Sequence, residues 1–338
     1  MSTVYGMSRM VVIGDVHGCH AELLDLFDRV ALSEGDVVVS VGDLVDRGPS
    51  PAEVVAWFRQ RKNALVLMGN HERKHVRSVF SYAQEITRAQ LADGYTDAVA
   101  WMRGLPYFHE TEHVRIVHAA MVPGVPLAEQ KEEVLCGSTA GEAILEKTFP
   151  AGTWWHEHYN DEKPIVFGHH VVGPEPMVKN DRVFGIDTGA CHGMALTALT
   201  VPDFKLWSVP ARADHWARVK REWQVPVLAH KPWATMTFAA IREQCEALAH
   251  VDDAGVRAFL EEKRAWAAAL EASHEALLVA VRAVVERLPS DDAMRAHPAS
   301  SLLFQARAGR LHLETIRSRA ATPERTLALA TALGVTLR

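Results

Sequence analysis

Six residues of this chain share one setting: each follows a short apolar run. Met10-Val11-Val12-Ile13 leads through Gly14 to Asp15 and His17, and Val37 to Val41 leads through Gly42 to Asp43. Ala64 to Met68 leads through Gly69 to Asn70, and Ile165-Val166-Phe167 leads through Gly168 to His169. A fifth run, Val114 to Val117, delivers His118 without a glycine. Two Asp, three His and one Asn make a hard-to-borderline oxygen and nitrogen donor set. Such a set suits manganese, iron, zinc, cobalt or magnesium, and suits copper(I) or iron-sulfur clusters poorly. Six ligands are too many for one catalytic ion. A carboxylate that bridges two ions removes the excess, and ions about 3.5–4 Å apart clamp a phosphoryl group and acidify a shared water. Asp43, on the central run, is the bridging candidate. The glycines let the backbone bend beside the ions without a Cβ in the way.

Bringing five strand ends to one place requires a sheet. Continuous apolar runs predict strands covered on both faces, and ligands gather outside the ends of such strands. Residues 9–209 alternate β-branched runs with longer helical patterns, whereas 238–338 show helical periodicity and almost no strand signal. This predicts a catalytic domain over 1–209, a connector over 210–237 and a helical domain over 238–338. Pro210, Pro226 and Pro232 interrupt regular elements in the connector, while Trp216, Trp223 and Trp233 mark it as packed. Beyond it, Phe238, Ile241, Cys245 and Leu248 share a helical face, and Trp266, Leu270, Leu277, Val281, Val284 and Leu288 share a face of one longer helix. Thr322-Pro323 opens a last helix that Gly334 ends. These stripes read as packing within one bundle. Arg307, Arg310, Arg317, Arg319 and Arg325 read as a solvated helix face, with a basic face toward a phosphate-bearing substrate as the other reading. Leu327 to Val335 resembles the first helix of a helix-turn-helix, but no recognition helix follows, so sequence-specific DNA binding is not expected.

Composition excludes other classes. The net charge of -6, from 36 basic and 42 acidic residues, argues against broad capture of nucleic acid or anionic membrane. The four cysteines, at 19, 136, 191 and 245, have no metal-clip spacing, so structural zinc and a disulfide scaffold are not expected. Gly141 to Lys147-Thr148 lacks the second glycine of a phosphate-binding P-loop. No uncharged apolar run approaches the roughly 18 residues of a membrane span, and a reducing, cytoplasmic compartment is expected.

Gly-Asp-Val-His-Gly (14–18), Gly-Asp-Leu-Val-Asp-Arg-Gly (42–48) and Gly-Asn-His-Glu (69–72) occur in order, followed by Val117-His118-Ala119, Gly168-His169-His170-Val171-Val172 and Ile186-Asp187-Thr188-Gly189. This series resembles the signature of the calcineurin-like metallophosphoesterases, in their phosphoprotein phosphatase branch, over roughly residues 9–209. The resemblance implies an α/β fold, a four-layer double β-sheet sandwich flanked by helices, here followed by the all-α C-terminal domain. It also implies a dinuclear metal centre, most often manganese, with iron, zinc, nickel, cobalt or magnesium as alternatives. Asp15 and His17 would hold the first ion, Asp43 would bridge, and Asn70, His118 and His169 would hold the second. Arg47 and Asn70 would meet substrate, Arg47 through phosphate oxygens. His71 would protonate the leaving oxygen and Asp46 would orient it. A metal-bound hydroxide would attack directly, with no covalent intermediate, and Glu72 would hold loop geometry. Past the shared core, Leu135 to Glu142, Trp155 to Tyr159 and Gly173-Pro174-Glu175-Pro176 resemble the phosphatase module of bacterial polynucleotide kinase-phosphatases, then symmetrical diadenosine tetraphosphatases and phage-type protein phosphatases.

The sequence also departs from that family. His118-Ala119-Ala120 stands where relatives have His-Ala-Gly, and Cys191-His192-Gly193-Met194 stands where they commonly pair glycines. The branch often clamps phosphate with a mid-domain arginine, yet no arginine lies between Arg115 and Arg182. Lys131, Lys147, Lys163, Arg182 or a histidine of Trp154-Trp155-His156-Glu157-His158 would have to substitute. His20, His75, His109 and His113 read as surface residues, and His156 and His158 as cap surface or a substrate-facing rim. His170 reads as exposed or as support for the site. Cys19 and Cys191 read as small buried hydrophobes. The expected substrate is a nucleotide or RNA end or a dinucleoside polyphosphate. A serine/threonine phosphoprotein is the first alternative, and a regulatory scaffold with incidental phosphatase activity is the second.

Overall fold

The computed structural model describes residues 9–337. The first eight residues of the expected catalytic domain, and Arg338, lie outside the described residues. All five apolar runs form strands. The first sheet holds β1 (Met10–Ile13), β2 (Val37–Ser40) and β3 (Ala64–Val66). The second holds β4 (Phe108–Glu110), β5 (Arg115–Val117), β6 (Ile165–Phe167), β7 (Met177–Lys179) and β8 (Val183–Gly185). β9 (Ala195–Val201) and β10 (Lys205–Pro210) complete the first. The orders are β10-β9-β1-β2-β3 and β4-β5-β6-β8-β7. β1, β2 and β3 run parallel in one sheet, and β5, β6 and β8 run parallel in the other.

Strand periodicity explains the layering. Successive side chains point to opposite faces. Val12 and Val39 pack with Ile116, Val166, Phe184 and Leu199 between the two sheets. Their neighbours Val11, Ile13 and Val38 pack the other way, against Leu23, Leu26 and Phe27 of the helix His20–Val30 and Val54 and Phe58 of the helix Pro51–Gln60. On the second sheet Val117, Ile165, Phe167 and Val183 face outward to Leu135, Trp155 and Tyr159. Both faces of both sheets are therefore covered, which gives the four-layer sandwich and accounts for the unbroken apolar runs.

The chain divides between Trp223 and Gln224 into two compact units. The stretch 210–237, read above as an interrupted connector, contains the helices His215–Glu222 and Gln224–Ala229, one in each unit. Its prolines interrupt less than expected. Pro210 closes β10, an edge strand where a missing N–H is harmless. Pro226 lies in the first turn of its helix, where the N–H has no intrahelical partner. The second unit is entirely helical among its described regular elements. The long helix expected across Trp266 to Leu288 is two, Ala254–Ala272 and His274–Arg287. At the junction Ser273 Oγ donates to Leu270 O at 2.6 Å, a local bond that competes with the helical ladder. The stripe divides accordingly: Leu270 packs with Trp233, Phe238 and Ile241, whereas Leu277 and Val281 pack with Leu303 and Ile316. The last helix, Pro323–Leu333, is capped by Thr322 and ended by left-handed Gly334.

Candidate metal centre

Each candidate ligand lies within four residues of the C-terminal end of a parallel strand, which brings all six to one edge of the sandwich. The connecting turns are sharp. His17, Asp43, Asp46, Arg47 and His169 all have positive φ, between 45° and 69°. Non-glycine residues held there cost energy, and their concentration at one place marks a constrained site. Packing at the turns is equally tight. A Cβ on Gly69 would fall 2.1 Å from Asp43 Oδ1, and one on Gly168 would fall 2.0 Å from Asp15 Oδ1. Only glycine lets both carboxylates keep their positions. Glu72 fixes the Asp43 loop by accepting three backbone N–H bonds, from Asp43 at 2.8 Å, Leu44 at 2.8 Å and Val45 at 3.3 Å.

Asp43 is shared between two groups of donors. Its Oδ2 faces His17 Nε2 at 3.7 Å and His71 Nε2 at 3.9 Å, while its Oδ1 faces His118 Nε2 at 3.5 Å. Metal-capable clusters form as His17, Asp43 and His71 on one side and Asp43, His118 and His169 on the other. Asn70 Oδ1 joins the second side, 3.2 Å from His118 Nε2 and 3.1 Å from His169 Nδ1. Asp15 approaches from the β1 side, and both its oxygens accept the His169 N–H at 3.1 Å.

The chemistry of this donor set fits divalent ions. His17 Nδ1 donates to Val45 O at 2.8 Å and His118 Nδ1 donates to Val41 O at 3.0 Å, since a carbonyl can only accept. Their Nε2 lone pairs therefore turn into the site. Burial holds His17, His118 and His169 below the ordinary imidazole range; Arg47 adds to this at His17, and His118 takes His169 down to about 3. Burial together with Asp187 and Asp43 pushes Asp15 well up, and burial and Asp43 push Asp187 up to about 6. Burial also opposes ionisation of Asp43, but the four surrounding imidazoles pull it below the usual carboxylate range. Imidazoles that resist protonation, and the Asp15 and Asp187 carboxyls that resist ionisation, are what cations at this point would relieve.

His71 and Arg47 stand at the rim of this set. His71 Nδ1 bonds Asp46 Oδ2 at 2.6 Å. Burial works against the Asp46 charge, but hydrogen bonds from His71 and His75 hold its carboxyl well below the ordinary value. The carboxylate thus accepts, His71 Nδ1 donates, and Nε2 is left toward the reacting side. Arg47 Nη1 donates to His17 Nε2 at 3.1 Å.

Sequence reasoning missed three residues here. His75, expected at the surface, is buried; its Nε2 bonds Asp46 Oδ1 at 2.9 Å and its Nδ1 meets Tyr95 Oη at 3.1 Å. The signal was present, because His75 follows His71 by one helical turn and shares its face. Gln84 Nε2 also donates to Asp46, from a separate helix and with no local signal. Asp187 was seen only as part of a motif. Of the proposed substitutes for the absent arginine, only His156 lines the cavity beside His169. Lys163 is engaged elsewhere, by Glu110 at 2.9 Å and Thr111 O at 2.9 Å. All four cysteines are buried and free, and burial pushes the Cys191 thiol up to about 12.

Over 232 residues the chain is 31% identical to a bis(5'-nucleosyl)-tetraphosphatase PrpE [asymmetrical] of Halalkalibacterium halodurans, covering 60% of this chain and 93% of that protein. Over 148 residues it is 32% identical to a bis(5'-nucleosyl)-tetraphosphatase, symmetrical, of Aromatoleum aromaticum, covering 40% and 54%. A crystal structure of a protein assigned as a diadenosine tetraphosphatase superposes with a TM-score of 0.51 at 25% identity, over 61% of this chain and 95% of the other. The model of the calcineurin-like phosphoesterases matches residues 8–207, more than half of the sequence, and the chain belongs to that family of phosphate-ester hydrolases.

Proposed function

We propose that the enzyme hydrolyses dinucleoside polyphosphates or related nucleotide phosphate esters at a dinuclear metal centre. The observation that carries this is the Asp43 carboxylate, with one oxygen toward His17 and the other toward His118. Asp15, His17 and Asp43 would hold one ion, and Asp43, Asn70, His118 and His169 the other. Divalent ions held there, manganese foremost, polarise phosphoryl oxygens and lower the pKa of water toward neutrality. Arg47 sits beside His17, where its planar fork of donors fits phosphate oxygens. Asp46, supported by His75 and Gln84, orients His71 through Nδ1, so that Nε2 can pass a proton to the leaving oxygen. The substrate class draws support from the names of the relatives above. A cytoplasmic setting is part of the proposal; no described helix is long and apolar enough to cross a membrane.

The test is direct. Protein stripped with chelator and reloaded with manganese is expected to hydrolyse p-nitrophenyl phosphate or its diester, and diadenosine tetraphosphate faster than a phosphoseryl peptide. No turnover of any of these with manganese, nickel, cobalt or zinc would refute the catalytic reading and favour a scaffold role. Preference for the peptide would move the substrate to proteins.

A further inference from the structure

A cavity of about 910 Å³ opens beside the metal centre, within the size range of small-ligand sites. It shares a wall with the centre. His169 and Gly137 line it, and a Cβ on Gly137 would fall 2.6 Å from His169 Nε2. A molecule in the cavity is therefore within reach of the same histidine that is a candidate ligand.

The far wall is a ladder of rings. Phe167, buried at the end of β6, lies nearly parallel to His156, with a 19° interplanar angle and 5.8 Å between centroids. His156 in turn lies parallel to Trp154, at 10° and 6.2 Å. His170 packs against Trp154 at 4.3 Å and 71°, bracing the indole. Accessibility rises along the ladder, from 2% at Phe167 to 47% at Trp154, while the adjacent Trp155 is only 5% exposed. The chain thus buries one tryptophan of the pair and leaves the other lining a cavity with nearly half of its surface uncovered.

The charge of the lining narrows the occupant. Glu142 and Glu146 line the cavity and no lysine or arginine does. Two carboxylates disfavour a phosphate there, and they offer acceptors to the amino groups of a neutral planar ring. We infer that this cavity binds one nucleobase of the substrate, stacked on Trp154, and so positions the phosphate chain over the metal centre. The inference rests on reading the centre as a hydrolase of nucleotide phosphates, but its first test does not depend on catalysis.

Equilibrium dialysis of adenosine, which carries no phosphate, against the full chain kept metal-free with chelator reads the cavity alone. Trp154→Ala is expected to weaken adenosine binding about tenfold, the scale of one base–aromatic stack. Trp154→Phe, which keeps a stacking ring, is expected to stay within threefold of wild type and guards against a folding defect. With manganese, the ratio of kcat/KM for diadenosine tetraphosphate to that for base-free tripolyphosphate is expected to fall about tenfold in Trp154→Ala. Equal adenosine binding by wild type and Trp154→Ala, binding of an apolar peptide in its place, or an unchanged substrate ratio overturns the inference. Trp154-dependent adenosine binding without hydrolysis of either polyphosphate would uphold the base site and overturn the hydrolase reading.

Discussion

Glu72 is the residue through which the loop of Asp43 can be tested at a single amide. Burial and Asp43 push the Glu72 carboxyl up to about 8, while the N–H groups of Asp43, Leu44 and Val45 all donate to its two oxygens and pull toward the ionised form. Glu72→Gln keeps the shape but only one acceptor. With that oxygen on Leu44 and Val45, the new amide nitrogen faces the Asp43 N–H, donor against donor. Losing a hydrogen bond to this buried carboxyl and stranding a buried N–H costs about 2–4 kcal/mol. At about 1.4 kcal/mol per factor of ten, this lowers hydrogen-exchange protection of the Asp43 amide by roughly 30- to 1,000-fold. Native-state exchange read by NMR or mass spectrometry measures it directly. Because the same loop presents the shared carboxylate, metal affinity measured by calorimetry is expected to fall about 10- to 100-fold. Protection of the Asp43 amide within threefold of wild type, together with unchanged metal affinity, would refute the claim that Glu72 sets this loop.

Other perturbations separate the remaining roles. His71→Ala is expected to slow esters with poor leaving groups at least tenfold more than p-nitrophenyl phosphate, since a good leaving group needs little protonation; equal losses would remove His71 as the acid. Gly168→Ala drives a Cβ into Asp15 Oδ1 at 2.0 Å, so metal affinity is expected to drop by at least tenfold with the fold retained; unaltered binding would place Asp15 outside the metal set. Burial pushes Glu22 up, but hydrogen bonds from His215 at 2.7 Å and Arg212 N at 2.9 Å pull it down to about 2. Because its pKa lies below the unfolded value of 4.5, its contribution is complete above pH 4.5 and is lost as pH falls through about 2. After discounting for solvent screening this is roughly 1–2 kcal/mol. Urea unfolding of Glu22→Gln is expected to show that deficit at pH 6 and almost none at pH 2; a gap independent of pH would refute the linkage.

What the sequence made legible follows from the kind of order involved. The five strands and their candidate ligands share one local rule: an apolar run, then a turn, then a polar side chain. That rule is readable because both sheet faces are covered, which leaves Val11 and Val12 apolar although they point to opposite layers. Residues that act through tertiary contacts obey no such rule. Gln84 reaches Asp46 from another helix, and Trp154 joins Phe167 only through His156. His75 lies between these cases. It carries the helical spacing that puts it beside His71, yet composition made it look like one surface histidine among many. Ser273 misled for the opposite reason, since the apolar stripe runs on through it while its hydroxyl bonds the preceding turn and separates two cores.

The same distinction bears on where catalysis and specificity reside. The candidate ligands follow strand ends whose positions are fixed by both packed faces, so moving one means distorting a sheet. Trp154, His156 and His170 sit in connecting segments, and Trp154 is nearly half exposed. Loops tolerate substitution far better than sheets do. A chain can therefore keep its donor set while exchanging the ring proposed to meet the substrate, and the missing mid-domain arginine fits that division. Between Arg115 and Arg182 the chain offers an aromatic wall and two carboxylates beside the centre in place of a guanidinium. On the proposed reading, a site built that way would gain hold on a phosphate ester through its neutral end and lose hold on a bare phosphomonoester.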